Sequence, residues 1–163
     1  MISLTPNSSF SLTISIELPN RPGTLAGVTQ AIAQVGGNLE EISLVARNLK
    51  VCVRKLTVDA YSCEHGQSIV EAVTALPEVK VLEVLDNTFD LHKGGKIEIQ
   101  SRRKLKSQSD LAMVYTPGVG RVCQVIASSP EKVFSLTMKS NTIAIVTDGS
   151  AVLGLGNLGP EAA

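Results

Sequence analysis

The sequence predicts an α+β fold of two consecutive parts, and three observations predict it. Apolar residues alternate at Phe10, Leu12, Ile14, Ile16 and Leu18, the period of a half-buried strand. A helical period then takes over at Leu25, Val28, Ile32 and Val35, the stripe of an amphipathic helix. The charge also changes sign along the chain: nine acids face six bases up to Phe89, and six acids face nine bases from Asp90 onward. That shift coincides with the polar, glycine-bearing stretch His92-Lys93-Gly94-Gly95-Lys96, which divides the chain into residues 1–89 and 90–163.

The elements of the first part follow in order. Pro19-Asn20-Arg21-Pro22-Gly23 breaks the first strand, and a helix runs from Thr24 to a C-cap at Gly36-Gly37. Residues 39–46 are apolar-rich and end at Arg47-Asn48, a turn signal. Residues 51–58 return from it, so the two strands form a hairpin. Ile69, Val73 and Leu76 mark a second helix stopped by Pro77, and residues 79–85 form the last strand. The order βαββαβ is the ferredoxin-like pattern, one four-stranded sheet with both helices on one face.

Composition excludes several classes. With 163 residues, 44% hydrophobic content and zero net charge, the chain is neither disordered nor a general nucleic-acid binder. Three cysteines are too few, and odd in number, for a secreted disulfide scaffold. Residues 1–10 lack the basic start and apolar core of an export signal. The charge-free stretch 22–39 has membrane length but contains Pro22, four glycines and Asn38, so it reads as a soluble helix with its loops. A cytoplasmic protein with reduced thiols at Cys52, Cys63 and Cys123 is expected, without membrane or nucleic-acid partners. Residues 93–106 hold six bases and one acid but no aromatic side chain on which a base would stack. They read as a solvated connection, with a dicarboxylate or nucleotide facing some of these bases as the alternative.

Gly23, Thr24 and Leu25 lie at a helix N-terminus, where free backbone N–H groups hold carboxylates. Asn38 offers a donor and an acceptor. These residues either only build the turns or together grip a small amino acid or similar metabolite. Asn20-Arg-Pro-Gly-Thr-Leu-Ala followed by Val35-Gly-Gly-Asn38-Leu resembles the ACT domain, a small regulatory module, over most of residues 10–89. Asn20 stands where that family often has Asp. The resemblance implies a metabolite effector contacting Asn20, Gly23, Thr24, Leu25 and Asn38, and a homodimer with sheets side by side.

The second part carries denser motifs. In Tyr115-Thr-Pro-Gly-Val-Gly-Arg-Val-Cys123, Thr116 is the expected N-cap and Pro117 the first helical residue. Val119, Val122, Cys123 and Ile126 then share a helix face. Tyr115, just before that helix, is either a hydrophobic staple or a proton donor near the positive end of the dipole. Ser129-Pro130-Glu131 starts a short helix to about Thr137. The run Ile143, Ala144, Ile145, Val146 predicts a buried strand. Residues 154–159 fit G-x-G-x-x-G, but Pro160 follows at once and no helix opens there, so they are not a dinucleotide site. Their glycines let backbone approach a ligand or a neighbouring strand.

Together, Y-T-P-G-V-G-R-V-C, S-P-E-K and K-S-N-T-I-A-I-V-T-D-G-S-A-V-L-G-L-G-N-L-G-P resemble the start of bacterial-type malic enzyme over residues 94–163. The resemblance implies an incomplete α/β N-terminal domain of an enzyme that oxidises malate with NAD or NADP and Mg2+ or Mn2+ and decarboxylates it to pyruvate and CO2. It implies Tyr115 as the general acid that protonates the enolpyruvate carbon, and Thr116, Pro117, Gly154, Leu155 and Gly156 at the substrate. Ala151 stands where some members have an Arg that grips malate. Such chemistry needs a base, a metal and a nicotinamide site as well as an acid. The chain offers the acid alone and no metal ligand, so it is expected to be an inactive piece of a longer enzyme that binds no cofactor by itself. A stand-alone, non-catalytic module that binds a metabolite and dimerises is the other reading.

Overall fold

A computed structural model describes residues 5–163; the reading of residues 1–4 as free of an export signal lies outside the described residues. The chain forms two compact units, residues 1–99 and 100–163. In the first, β1 (Asn7–Pro19), α1 (Thr24–Gln34), β2 (Asn38–Arg47), β3 (Val51–Ala60), α2 (Cys63–Thr74) and β4 (Lys80–Asp86) realise the βαββαβ order. A short helix, α3 (Asn87–His92), follows. The strands pair antiparallel in the order β2-β3-β1-β4, so β1 and β3 are central and β2 and β4 are edges.

The alternation seen in the sequence decides which side of the sheet is covered. Ile14, Ile16 and Leu18 of β1 lie opposite Leu56, Arg54 and Cys52 of β3, and paired residues point to the same face. Ile14, Ile16, Leu18, Cys52, Leu56 and Val58 form one core with Val28 and Ile32 of α1 and Ile69 and Val73 of α2. The stripe expected on α1 is the stripe buried, because i and i+4 positions share one side of a helix. α1 ends in a Schellman motif: Gly36 N–H donates to Ala33 and Gly37 N–H to Ile32, both at 3.0 Å. Gly36 has φ +86°, the left-handed conformation this motif requires. α2 is capped by Ser62, whose Oγ accepts from His65 N–H at 3.1 Å.

The face turned away from α1 and α2 is polar along β1. It carries Ser11, Thr13, Ser15 and Glu17, and the residue following β4 folds onto it. Asn87 accepts from Thr13 Oγ1 at 2.8 Å and donates to Ser11 Oγ at 3.1 Å. Thr88 Oγ1 donates to the Ser9 carbonyl. α3 is itself capped by Asp86, which accepts from Thr88 and Phe89 N–H.

The second unit is made of helices and loops: α4 (Gln108–Val114), α5 (Gly118–Ser128), a 3-10 turn at Pro130–Lys132, α6 (Val133–Leu136) and a 3-10 turn at Met138–Asn141. Val119, Val122 and Ile126 of α5 are half-buried, while Cys123 is exposed. The strand expected over Ile143, Ala144, Ile145 and Val146 does not form. Among the described residues this unit has no strand to supply a ladder, and Ile143, Ile145 and Val146 are 89%, 88% and 94% exposed.

Truncating the core should separate the two kinds of apolar position. Ile14→Ala is expected to cost about 3 kcal/mol in urea unfolding, and Leu82→Ala on the edge strand less than about 1 kcal/mol.

Candidate functional site

The turn before α1 is built by its own side chains. Thr24 Oγ1 donates to the carbonyls of Pro19 (2.8 Å) and Arg21 (2.9 Å), closing the loop that leads into the helix. Gly23 occupies the cap position with φ +91° and has no side chain to cap with, so the first helical N–H groups beside Thr24 and Leu25 lack a side-chain acceptor. Asn20 points elsewhere. Its N–H donates to Lys50 (2.9 Å) and its Nδ2 to the Asn48 carbonyl (2.7 Å), tying this loop to the β2–β3 turn. Asn48 organises that turn, accepting at 2.8 Å from both Lys50 and Val51.

Asn38 is not part of this group within one chain. Pro19 pairs with Val51, and Asn38 pairs with Asp59. Those two partners are eight residues apart on β3, so the α1 turn and Asn38 lie roughly 26 Å apart along the strand direction. The Asn38 side chain donates to Glu40. The Gly-Gly-Asn turn instead has a neighbour that sequence patterning did not single out, His65. This histidine on α2 is 5% exposed and hydrogen-bonds the Val35 carbonyl through Nε2 at 2.7 Å. Its only sequence signal was a polar residue beside Gly66 and before the apolar stripe, which the stripe itself does not explain. A cavity of about 130 Å³ in this unit lies between α2, β1 and β4, lined by Phe10, Leu12, Ser62, Gly66, Val70 and Val84, and so reaches the Ser62 cap beside His65.

In the second unit Tyr115 terminates α4 and lies two residues before the cap of α5. Its N–H donates to Leu111 (2.9 Å) and its carbonyl accepts from Val119 (2.7 Å), so its backbone splices the two helices. The ring is 65% exposed. The helix start differs from the expected one. α5 begins at Gly118 with Pro117 in the cap position, and Thr116 precedes the cap without capping. The physical reason is the close approach of the helices: a Cβ on Gly118 would lie 2.4 Å from the Met113 carbonyl oxygen. The splice therefore needs a glycine where helical geometry first sets in. A groove of about 440 Å³ runs beside this junction, lined by Met113, Gly118, Arg121, Val122, Val125 and Leu136. Arg121 brings a guanidinium to it, a donor set matched to a carboxylate.

Gly154, Leu155 and Gly156 sit at the tip of a loop closed on itself. The Gly149 carbonyl accepts from Leu158 (3.1 Å) and Gly159 (3.2 Å), and Val152 N–H donates to Gly156 (3.0 Å). A 3-10 turn, Pro160–Ala162, follows the loop. Among the described residues no three His, Cys, Asp or Glu side chains converge as metal ligands, and no helix is long and apolar enough to cross a membrane.

The geometry defines first a class: a four-stranded α+β module of βαββαβ order, followed in the chain by a helical segment with an exposed tyrosine at a helix junction. Comparison with known proteins then gives the families. Residues 6–83 match the ACT domain, and residues 94–163 match the malic enzyme N-terminal domain. Each match is confined to its own part of the chain. The chain is 40% identical to an NAD-dependent malic enzyme of Geobacillus stearothermophilus over 99% of its length. It is 42% identical to NAD-dependent malic enzyme 1 of Bacillus subtilis over 92% of its length. It spans about a third of the length of these relatives, 34% of each. Among solved structures, a malic enzyme from Pyrococcus horikoshii Ot3 is 44% identical over 47% of this chain and 19% of that one, with a TM-score of 0.44.

The start of α4 is tied by a carboxylate. Asp110 accepts from Lys106 N–H (3.0 Å) and Ser107 Oγ (2.9 Å), and these bonds hold its carboxyl below the usual aspartate range. A depressed folded value stabilises the segment above the ordinary aspartate value and is lost as pH falls through the lowered one. Amide resonances of residues 106–111 should therefore titrate together below the ordinary aspartate range, and Asp110→Asn should abolish that step.

Proposed function

We propose that this chain is the effector-responsive N-terminal part of an NAD(P)-dependent malic enzyme, which oxidises malate and decarboxylates it to pyruvate and CO2. The observation that carries the reading is the 40% identity to one NAD-dependent malic enzyme over 99% of the chain, across both the ACT and the malic segments. The cytoplasm is its compartment.

The chain's contribution to the chemistry is a proton. Tyr115, exposed at the α4–α5 splice, donates its hydroxyl proton to the carbon of enolpyruvate in its enolate form, giving the ketone and leaving a tyrosinate. Thr116, Pro117 and the loop tip at Gly154, Leu155 and Gly156 bound the substrate, and Arg121 in the adjoining groove holds a malate carboxylate in place of the Arg that Ala151 replaces. The parent uses NAD or NADP and Mg2+ or Mn2+. Among the described residues no three His, Cys, Asp or Glu side chains converge as ligands for that metal.

The ACT unit regulates. Asn20, Gly23, Thr24 and Leu25 at one end of the sheet and Asn38 at the other contact a small amino acid or organic acid. Two copies pair through β2, an edge strand whose Leu44 and Val45 are 48% and 56% exposed.

Three outcomes test this. In the full-length enzyme Tyr115→Phe should slow enolpyruvate tautomerisation by about 10²–10⁴-fold while slowing hydride transfer far less; equal loss of both removes the general-acid role. The 163-residue chain alone should form no NAD(P)H from malate with Mn2+. In sedimentation it should run as a dimer that Leu44→Lys converts to a monomer, and a wild-type monomer refutes the pairing.

A further inference from the structure

His65 is held by both ring nitrogens. Tyr61 N–H donates to Nδ1 at 3.2 Å, so Nδ1 carries a lone pair. The Val35 carbonyl lies 2.7 Å from Nε2, and a carbonyl only accepts, so Nε2 carries the hydrogen. The network therefore fixes a neutral imidazole in one tautomer. The ring also stacks on Tyr61 with centroids 3.8 Å apart, and the His65 backbone N–H is taken by the Ser62 cap.

What the ring holds is the end of α1. Val35 is its C-cap residue, and the last carbonyls of a helix have no partner within the helix. A Cβ on Gly36 would lie 3.7 Å from His65 Nε2, so the ring lies against the turn as well as bonding to it. Gly37 is wedged on the other side: a Cβ there would meet Ile32 at 2.8 Å and Ile69 at 2.9 Å. The turn that delivers Asn38 to β2 is thus fixed from α2 by one polar and one apolar contact.

We infer that His65 is the positioning residue of the Gly36-Gly37-Asn38 turn, setting where Asn38 stands at the start of β2. As a statement about effector recognition this rests on the proposed role of Asn38; as a statement about the turn it does not. It gives the ACT unit a route by which a displacement at Asn38 reaches the N-terminus of α2 through one hydrogen bond and one ring stack.

The test uses the whole 163-residue chain. Long-range 1H–15N spectra of the histidine ring should show a protonated Nε2 and an unprotonated Nδ1; the opposite tautomer overturns the inference. His65→Phe keeps the ring and its stack but loses both bonds. It should accelerate amide exchange at residues 36–38 by about tenfold, the loss of one hydrogen bond, while Val28 is unchanged. His65→Gln retains a donor that reaches Val35 and should restore most of the protection. Unchanged exchange at residues 36–38 in His65→Phe, or an equal rise along all of α1, overturns the positioning role. If His65→Phe does not fold, the wild-type tautomer and the His65→Gln exchange decide. Melting with L-serine, L-aspartate and succinate is the separate arm. A shift in the wild type that His65→Phe weakens and His65→Gln restores supports the link to recognition. No shift in the wild type with any of the three overturns the effector reading and leaves the exchange result standing.

Discussion

The register of β1 against β3 sets what every other element of the first unit can do. Because side chains alternate along a strand, Ile14 opposite Leu56 and Leu18 opposite Cys52 fix one apolar face, and Ser11, Thr13 and Ser15 are thereby sent to the other. A slip of one residue would bring the serines under the helices and expose the isoleucines. α1 and α2 have stripes that only the correct register can bury. The same register places the α1 turn and Asn38 at opposite ends of the sheet.

The two units spend their apolar residues differently. The first closes nine large side chains to below 2% exposure. In the second, α4, α5 and α6 contain no buried residue, and Phe134, Leu136 and Met138 remain largely open. Its order rests on local devices instead: the Ser107–Asp110 cap, the Gly118 approach and the Gly149 loop closure. Such devices fix short segments firmly while contributing little burial.

Much of the first unit was legible in the sequence because its periodicities are undiluted: Phe10 to Leu18 alternates without a break, and Gly36-Gly37 sits where a Schellman motif needs it. Less of the second was. Ile143, Ala144, Ile145 and Val146 have the composition of a buried strand, but a strand exists only when another strand accepts its hydrogen bonds, which a short apolar run does not report. Thr116-Pro117 carried correct capping chemistry at the wrong place, because the approach of Gly118 to Met113 is a tertiary distance. The candidate residues divide in the same way. Gly23, Thr24 and Leu25 were found by local turn logic, while His65 is defined by a bond to a residue thirty positions earlier and left no pattern.

The clasp that Asn87 makes on the polar face has a mechanical side. The chain does not leave the sheet at the last ladder bond of β4; it leaves after the bonds from Asn87 to Ser11 and Thr13 and from Thr88 to Ser9. Tension arriving from residues beyond α3 would meet the bonds of that helix and then these side-chain bonds to the central strand before it met the ladder of β4. Slack or pull in the connecting segment is thereby registered at β1, the strand on which the core is assembled, while the ladder of the outer strand is spared.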